Sequence, residues 1–242
     1  MAIKLDEHII FQNNDLIAIN KPSGLLTIPD REGKDVALKG LLKAKFGEIF
    51  TVHRLDRDTS GIVVFAFNER AHKHLSQQFE GRETSKIYNG LVLGKPAESE
   101  GVIAEPIAEH PKKKGLMTVW RKGKESITEY EVLDSYRQYS WLQFKILTGR
   151  THQIRVHMKH LGHPVVCDEL YGDGKPVFLS QLKKKFNLSQ SELEERPILN
   201  RLALHSAQLS FKGVGGEEYT LEAPLPKDLR ATINQLGKQV KK

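Results

Sequence analysis

Apolar and polar positions divide the 242-residue chain into many short strand-like runs with a few helical stretches between them. Residues 62–67, IVVFAF, form an unbroken apolar run rich in β-branched side chains, which predicts a buried strand. Residues 16–20 predict another short strand, stopped by a turn at Lys21-Pro22-Ser23-Gly24. Asn68 predicts the N-cap of a helix in which Ala71, Leu75 and Phe79 share a face, with Gly81 as its stop. Residues 87–93 return to strand character, and residues 130–133 and 141–147 predict a strand pair. In the second of that pair, Leu142, Phe144 and Ile146 alternate with Trp141, Gln143 and Lys145, the period-2 pattern of a half-buried strand. Residues 151–161 predict a helix with Ile154, Met158 and Leu161 on one face and Gly162 at its end. Residues 202–211 and 219–222 supply late strands. Strands dominate without regular strand–helix alternation, so the expected class is α+β, not a doubly wound sheet.

Composition adds little to this picture until charge is considered. Apolar residues at 39% and charged residues at 28% are ordinary for a globular protein. The N-terminus lacks the apolar core of a signal peptide, and no run approaches the roughly 18 apolar residues of a membrane span. A single cysteine, Cys167, rules out an internal disulfide and fits a reducing cytoplasm; a small buried hydrophobe is its expected role. The 37 Lys and Arg against 30 Asp and Glu leave a net charge of +7, which admits a polyanionic partner without requiring one. Lys112, Lys113, Lys114, Arg121, Lys122 and Lys124 make residues 111–124 a basic loop suited to gripping phosphates. The chain end, about 236–242, reads as a flexible basic tail, and Lys183-Lys184-Lys185 as a further basic run with no recognisable pattern.

Two segments concentrate chemistry. In His53-Arg54-Leu55-Asp56-Arg57-Asp58-Thr59-Ser60-Gly61, two carboxylates, two guanidiniums, an imidazole and two hydroxyls abut the apolar strand at 62. Charges placed against a core are costly unless paired or used. Chemistry alone leaves Asp56 and Asp58 equal as the working acid. In Gly149-Arg150-Thr151-His152-Gln153-Ile154-Arg155-Val156-His157, Arg155 lies one residue beyond the core-facing Ile154, where it can meet a buried carboxylate. His152, His157, His160 and His163 with Cys167 lack the usual spacings of a zinc site. Gly90 to Pro96 is one residue short of a phosphate loop and carries proline where a hydroxyl is needed, and GxGxxG is absent. No metal and no cofactor is expected.

These segments resemble the HRLDxxTSG and GRTHQIRVH motifs of the RluA family of pseudouridine synthases. The similarity extends to Asn20-Lys21-Pro22-Ser23-Gly24, Lys86-Ile87-Tyr88, Leu161-Gly162-His163-Pro164, Asp168 with Tyr171-Gly172, and Arg201 to Ser206. It covers about residues 9–226 in the family's order, within a single catalytic domain spanning 1–242. The resemblance implies a mixed, mainly antiparallel central sheet flanked by helices, with an active-site cleft across it. It implies a monomer that flips a uridine out of transfer or ribosomal RNA, breaks the N-glycosidic bond and rejoins the uracil through C5. Asp56 matches the family's catalytic aspartate, Arg54 the arginine that displaces the target base, and Tyr88 the tyrosine stacked on the uracil. Arg155 matches the basic residue paired with the aspartate, with Ile154 near the uracil pocket. His53, Arg150, His152, Lys112, Lys113, Lys114 and Arg121 are candidate RNA contacts. Many relatives carry an N-terminal RNA-binding domain, whereas here the pattern begins at Ile9, which leans toward transfer RNA or a compact hairpin.

The reaction needs no redox step. Asp56 can attack C1′, attack C6, or remove a ribose proton to give a glycal, and a carboxylate serves all three. The rival readings are a non-catalytic RNA-binding protein and a glycosylase-like hydrolase that releases the base.

Overall fold

The computed structural model describes residues 3–30, 33, 35–183 and 194–240; Lys184, Lys185 and the last two lysines lie outside the described residues. A 3-10 turn, Leu5–His8, leads into β1 (Ile9–Gln12) and β2 (Leu16–Lys21). Then come α1 (Leu38–Phe46), β3 (Phe50–Thr51), β4 (Ser60–Ala66), α2 (Glu69–Glu80) and β5 (Ser85–Leu93). The middle of the chain holds β6 (Glu100–Ile103), β7 (Ile107–Glu109), β8 (Met117–Val119), β9 (Thr128–Ser135), β10 (Tyr139–Ile146) and α3 (Gln153–His160). A short α4 (Leu179–Leu182), β11 (Leu204–Lys212), β12 (Glu218–Glu222) and α5 (Lys227–Val240) follow. The class is α+β, as the pattern predicts. No helix among the described residues is long and apolar enough to cross a membrane.

The chain forms two compact units. The first comprises the described residues up to Tyr88, with Lys145–Leu147 and His205–Pro224. Its strands lie in the order β1-β2-β4-β11, with β3 beside β4 and β12 beside β11. Pairing is antiparallel except between β4 and β11, which run parallel with Ser60 opposite His205 and Gly61 opposite Ser206. All seven residues of β4 are buried, so the predicted apolar strand is the spine of this unit. Asn68 caps α2 by accepting the Ala71 N–H at 2.9 Å, and Ala71 and Leu75 pack onto Leu16, Ala18, Val64, Leu209 and Phe211.

The second unit holds β5 beyond Tyr88, then β10, β9 and β6 as successive neighbours, the separate hairpin β7–β8, and helices α3, α4 and α5. Here α3 departs from the expected single apolar face. It starts at Gln153, because His152 adopts the left-handed conformation (φ 57°), and every residue from Gln153 to Met158 is buried. Leu161, expected on the core face, is 38% exposed. A helix so enclosed must satisfy its polar side chains internally, and those bonds build the site below. The expected flexible tail is also revised: α5 continues to Val240, burying Leu229, Thr232 and Leu236 at helical spacing.

Candidate active site

Asp56 lies in the loop between β3 and β4, half-buried, and the backbone on either side of it is gripped by residues 21–27. Before it, buried Leu55 is held twice by one hydroxyl. Thr27 Oγ1 donates to the Leu55 carbonyl at 2.9 Å and accepts the Leu55 N–H at 3.2 Å. After it, the Arg57 carbonyl accepts from Lys21 Nζ at 2.9 Å and from the Gly24 N–H at 2.9 Å. Ser23 Oγ donates to the Asp58 carbonyl at 2.6 Å. Lys21 itself is wholly buried, and its ammonium also donates to the carbonyls of Pro22 and Leu25, so three acceptors offset the cost of burying the charge. Asp58 is exposed, as are Arg54 and Arg57. Arg57 is tied by Nε to the Gly24 carbonyl and by Nη1 to Asp35, whereas Arg54 is the exposed guanidinium two residues before the acid.

Tyr88 belongs to the same unit. Its phenol is pushed up to about 12, first by burial and further by the charge of Asp56, against a side-chain hydrogen bond with Ser206 that acts the other way. The ring is therefore neutral, 9% exposed and within electrostatic reach of Asp56. The Gly61 of the TSG motif lies against Ser206, the side-chain partner of Tyr88. Its φ is 114°, and a Cβ there would stand 2.1 Å from the Ser206 carbonyl oxygen, so only glycine lets β11 approach β4 so closely. Beside it, His205 Nε2 faces the Ala223 carbonyl, which can only accept; Nδ1 therefore accepts the Ser60 hydroxyl at 2.9 Å.

His53 has a structural position. Its Nε2 accepts the Val64 N–H at 3.1 Å and its ring stacks on Phe79 at 4.4 Å. Burial, with the Lys86 charge, lowers its pKa to about 3, so the imidazole is neutral.

The second unit carries the other motif. Arg155 meets a buried carboxylate, which its place beside Ile154 allows, and that carboxylate is Asp168: Nε to Oδ2 at 2.7 Å and Nη2 to Oδ1 at 2.8 Å. Asp168 Oδ1 also accepts the N–H groups of Leu170 and Tyr171. The guanidinium lies over the Tyr171 ring at 4.9 Å, and the Tyr171 hydroxyl accepts the Met117 N–H and bonds His152 Nδ1 at 2.7 Å. Gln153, 4% exposed, fastens the start of α3: its Oε1 accepts from Thr148 and the Arg150 N–H, and its Nε2 donates to Ile127 and Thr128. Arg150 Nε is bound to the Glu125 carbonyl. His157 is fully buried between Thr128 and the Glu105 carbonyl, and burial lowers its pKa. Lys112, Lys113 and Lys114 are exposed at the tip of the β7–β8 hairpin, and Arg121 is exposed in the turn after it.

Lys21, Thr27, Ser206 and Gln153 had no role in the chemical reading of the sequence, although all but Thr27 fall in the matched segments. For Lys21 and Gln153 the signal that could have marked them is a long polar side chain inside a matched segment; Thr27 and Ser206 carry no such signal.

Comparisons with known proteins identify the family. Residues 15–160 match the family model described as RNA pseudouridylate synthase. The ribosomal large subunit pseudouridine synthase D of Haemophilus ducreyi is 35% identical over 236 residues, covering 95% of this chain and 70% of that protein. Its counterpart in Yersinia pestis is 34% identical, with 94% and 70% covered. The structure of human RNA pseudouridylate synthase domain containing 4 superposes with a TM-score of 0.72 at 27% identity, covering 96% of this chain and 94% of that one. The chain belongs to the RNA pseudouridine synthase family, enzymes that isomerise uridine in RNA to pseudouridine.

Proposed function

We propose that this enzyme acts on large-subunit ribosomal RNA, as a cytoplasmic monomer working on side chains alone, with Asp56 as its catalytic carboxylate. The observation that carries the residue assignment is the grip on both backbone neighbours of Asp56 by Thr27, Lys21 and Gly24. The same bonds also hold Asp58, and burial decides between the two acids: Asp56 is half-buried and Asp58 exposed. The ribosomal target is supported by the names of the relatives about one-third identical to this chain, and it replaces the lean toward transfer RNA. The lone buried thiol of Cys167 supports the reducing compartment. The family match at 15–160 draws on both compact units, which supports one catalytic domain.

In this reading Arg54 fills the stack that the flipped uridine leaves, and Tyr88 stacks on the uracil. Extrusion costs a few kcal/mol, and each stacking contact returns ~1–3 kcal/mol. Tyr88 stays a neutral phenol, so it adds no charge against the carboxylate. Arg155, oriented by Asp168, is the supporting basic residue of the catalytic carboxylate that the family resemblance implies. His152, Arg150 and the hairpin lysines contact the RNA backbone.

The test is carbodiimide primer-stop mapping of pseudouridine in ribosomal and transfer RNA from cells with and without the gene. Sites in large-subunit RNA should vanish, returning with the wild-type protein but not with Asp56→Ala. Sites lost only from transfer RNA would overturn the target, rescue by Asp56→Ala would overturn the residue, and free uracil as the main product would favour a hydrolase. Light scattering on the purified protein tests the monomer.

A further inference from the structure

We propose that Trp120, flanked by Arg121 and Lys122, is a stacking platform for an unpaired base of the RNA other than the target uridine. This rests on the reading of RNA as substrate. Trp120 is 51% exposed, whereas the other tryptophan, Trp141, is 7% exposed. Leaving half an indole in water forgoes burial of one of the largest apolar side chains, so its position calls for a partner.

The local backbone is built to present it. Ile107 of β7 pairs with Val119 on one side and with Lys124 on the other, so residues 120–123 must turn back sharply between the two. The Trp120 N–H is bound to the Pro106 carbonyl at 2.8 Å, and the Gly123 N–H closes on the Trp120 carbonyl at 2.7 Å. A Cβ on Gly123 would lie 2.6 Å from the Ile107 carbonyl carbon and 2.8 Å from the Trp120 oxygen, so the turn tolerates only glycine there. Arg121 and Lys122 occupy the two central positions of that turn, both exposed. A rigid aromatic face beside two cations matches a nucleotide, whose base offers a π-face and whose phosphate offers the charge. At the far end of the same hairpin stand three more exposed lysines, Lys112, Lys113 and Lys114. An acidic protein partner would match the cations but has no need of the indole's exposed face.

Acrylamide quenching tests this directly, because the quenchable emission belongs to Trp120 and disappears in Trp120→Phe. A stem-loop RNA with an unpaired loop should quench and shield that emission, and a fully paired RNA of equal length should not. In steady-state kinetics on a large-subunit RNA transcript, Trp120→Ala should raise KM roughly ten-fold with little change in kcat, the value of one lost base stack. Trp120→Phe should retain most of the affinity. The salt dependence of binding should keep its slope in Trp120→Ala, and should fall by about one in Lys122→Ala. Equal shielding by paired RNA, or an unchanged KM in Trp120→Ala, overturns the platform while leaving the pseudouridine assignment standing. Failure of the wild type to modify the transcript strikes that assignment instead, and the quenching result still decides the platform.

Discussion

Asp56 sits on a loop whose backbone is gripped by a neighbouring loop, whereas Arg155 sits on a helix and is gripped through its own side chain. Around Asp56 the bonds from Thr27, Lys21, Gly24 and Ser23 all end on main-chain atoms of residues 55, 57 and 58. Around Arg155 they end on the guanidinium: a two-point fork from Asp168 and the face of Tyr171. The first arrangement fixes where a carboxylate starts and leaves the residue half-buried. The second fixes a charge in one orientation. The two modes fail differently when cut.

The largest effect is expected at the fork. Asp168→Ala leaves a buried guanidinium without its carboxylate, which should cost about 3–5 kcal/mol of stability in urea unfolding, with activity falling alongside. Asp168→Asn combined with Arg155→Met removes both charges, keeps an acceptor for the Leu170 and Tyr171 N–H groups, and should recover most of the stability. It should not recover pseudouridine formation. A double variant that regains activity would reduce Arg155 to a packing element and collapse the contrast.

Much of this contrast was legible in the sequence, but unevenly. β4 announces itself because the unbroken apolar run at 62–67 needs no partner to be recognised, and Asn68 because capping is local chemistry; the strand itself is Ser60–Ala66. Arg155 beside Ile154 was legible as an arginine seeking a buried acid. That the acid includes Asp168 was not, because the pair joins α3 to a turn 13 residues on and no periodicity encodes it. The single-face reading of α3 failed for a related reason: Gln153 and His157 are buried on bonds to Ile127, Thr128 and Glu105, and a helix with its polar groups satisfied can be enclosed on several sides. α1 escaped notice because only Leu38 and Leu42 are buried and Ala37 offers no side-chain cap. The choice of Asp56 over Asp58 came from family resemblance; the physical difference, Asp56 half-buried and Asp58 exposed, appears only once the two loops meet.

The backbone grip predicts a smaller and differently shaped loss. Thr27→Val keeps the side-chain volume but leaves the Leu55 carbonyl and N–H without the hydroxyl that serves both. The expected cost is about 1–3 kcal/mol. Because the loss displaces Asp56 and not the RNA-binding surface, kcat should fall roughly ten-fold with KM held, as for a reacting group moved out of position. Thr27→Ser, which keeps the hydroxyl, should restore kcat. Equal damage from both variants would mean that Thr27 acts by packing alone. Equal rises in KM would mean that the loop serves binding.

The smallest effect concerns His53, which shares the acid's loop but is held as Arg155 is, through its side chain. Its folded pKa is lowered to about 3 from an ordinary 6.5 by burial and by the Lys86 charge, while the unfolded chain titrates near the ordinary value. Between those values the unfolded state binds the proton and the folded state does not, so stability rises with pH across that window. The contribution is fully present above about pH 6.5 and is lost progressively as pH falls toward about 3. His53→Gln keeps an acceptor for the Val64 N–H and has nothing to titrate. Its thermal midpoint should lie slightly below that of the wild type at pH 7.5, since the ring stack on Phe79 is lost, and should fall less steeply on acidification to pH 5. Other acid-sensitive groups, buried His157 and the Asp228 partner of Arg201, titrate in both proteins and cancel in the difference. Parallel pH profiles would show that His53 is solvated, and the loop carrying Asp56 would then be anchored by its backbone alone.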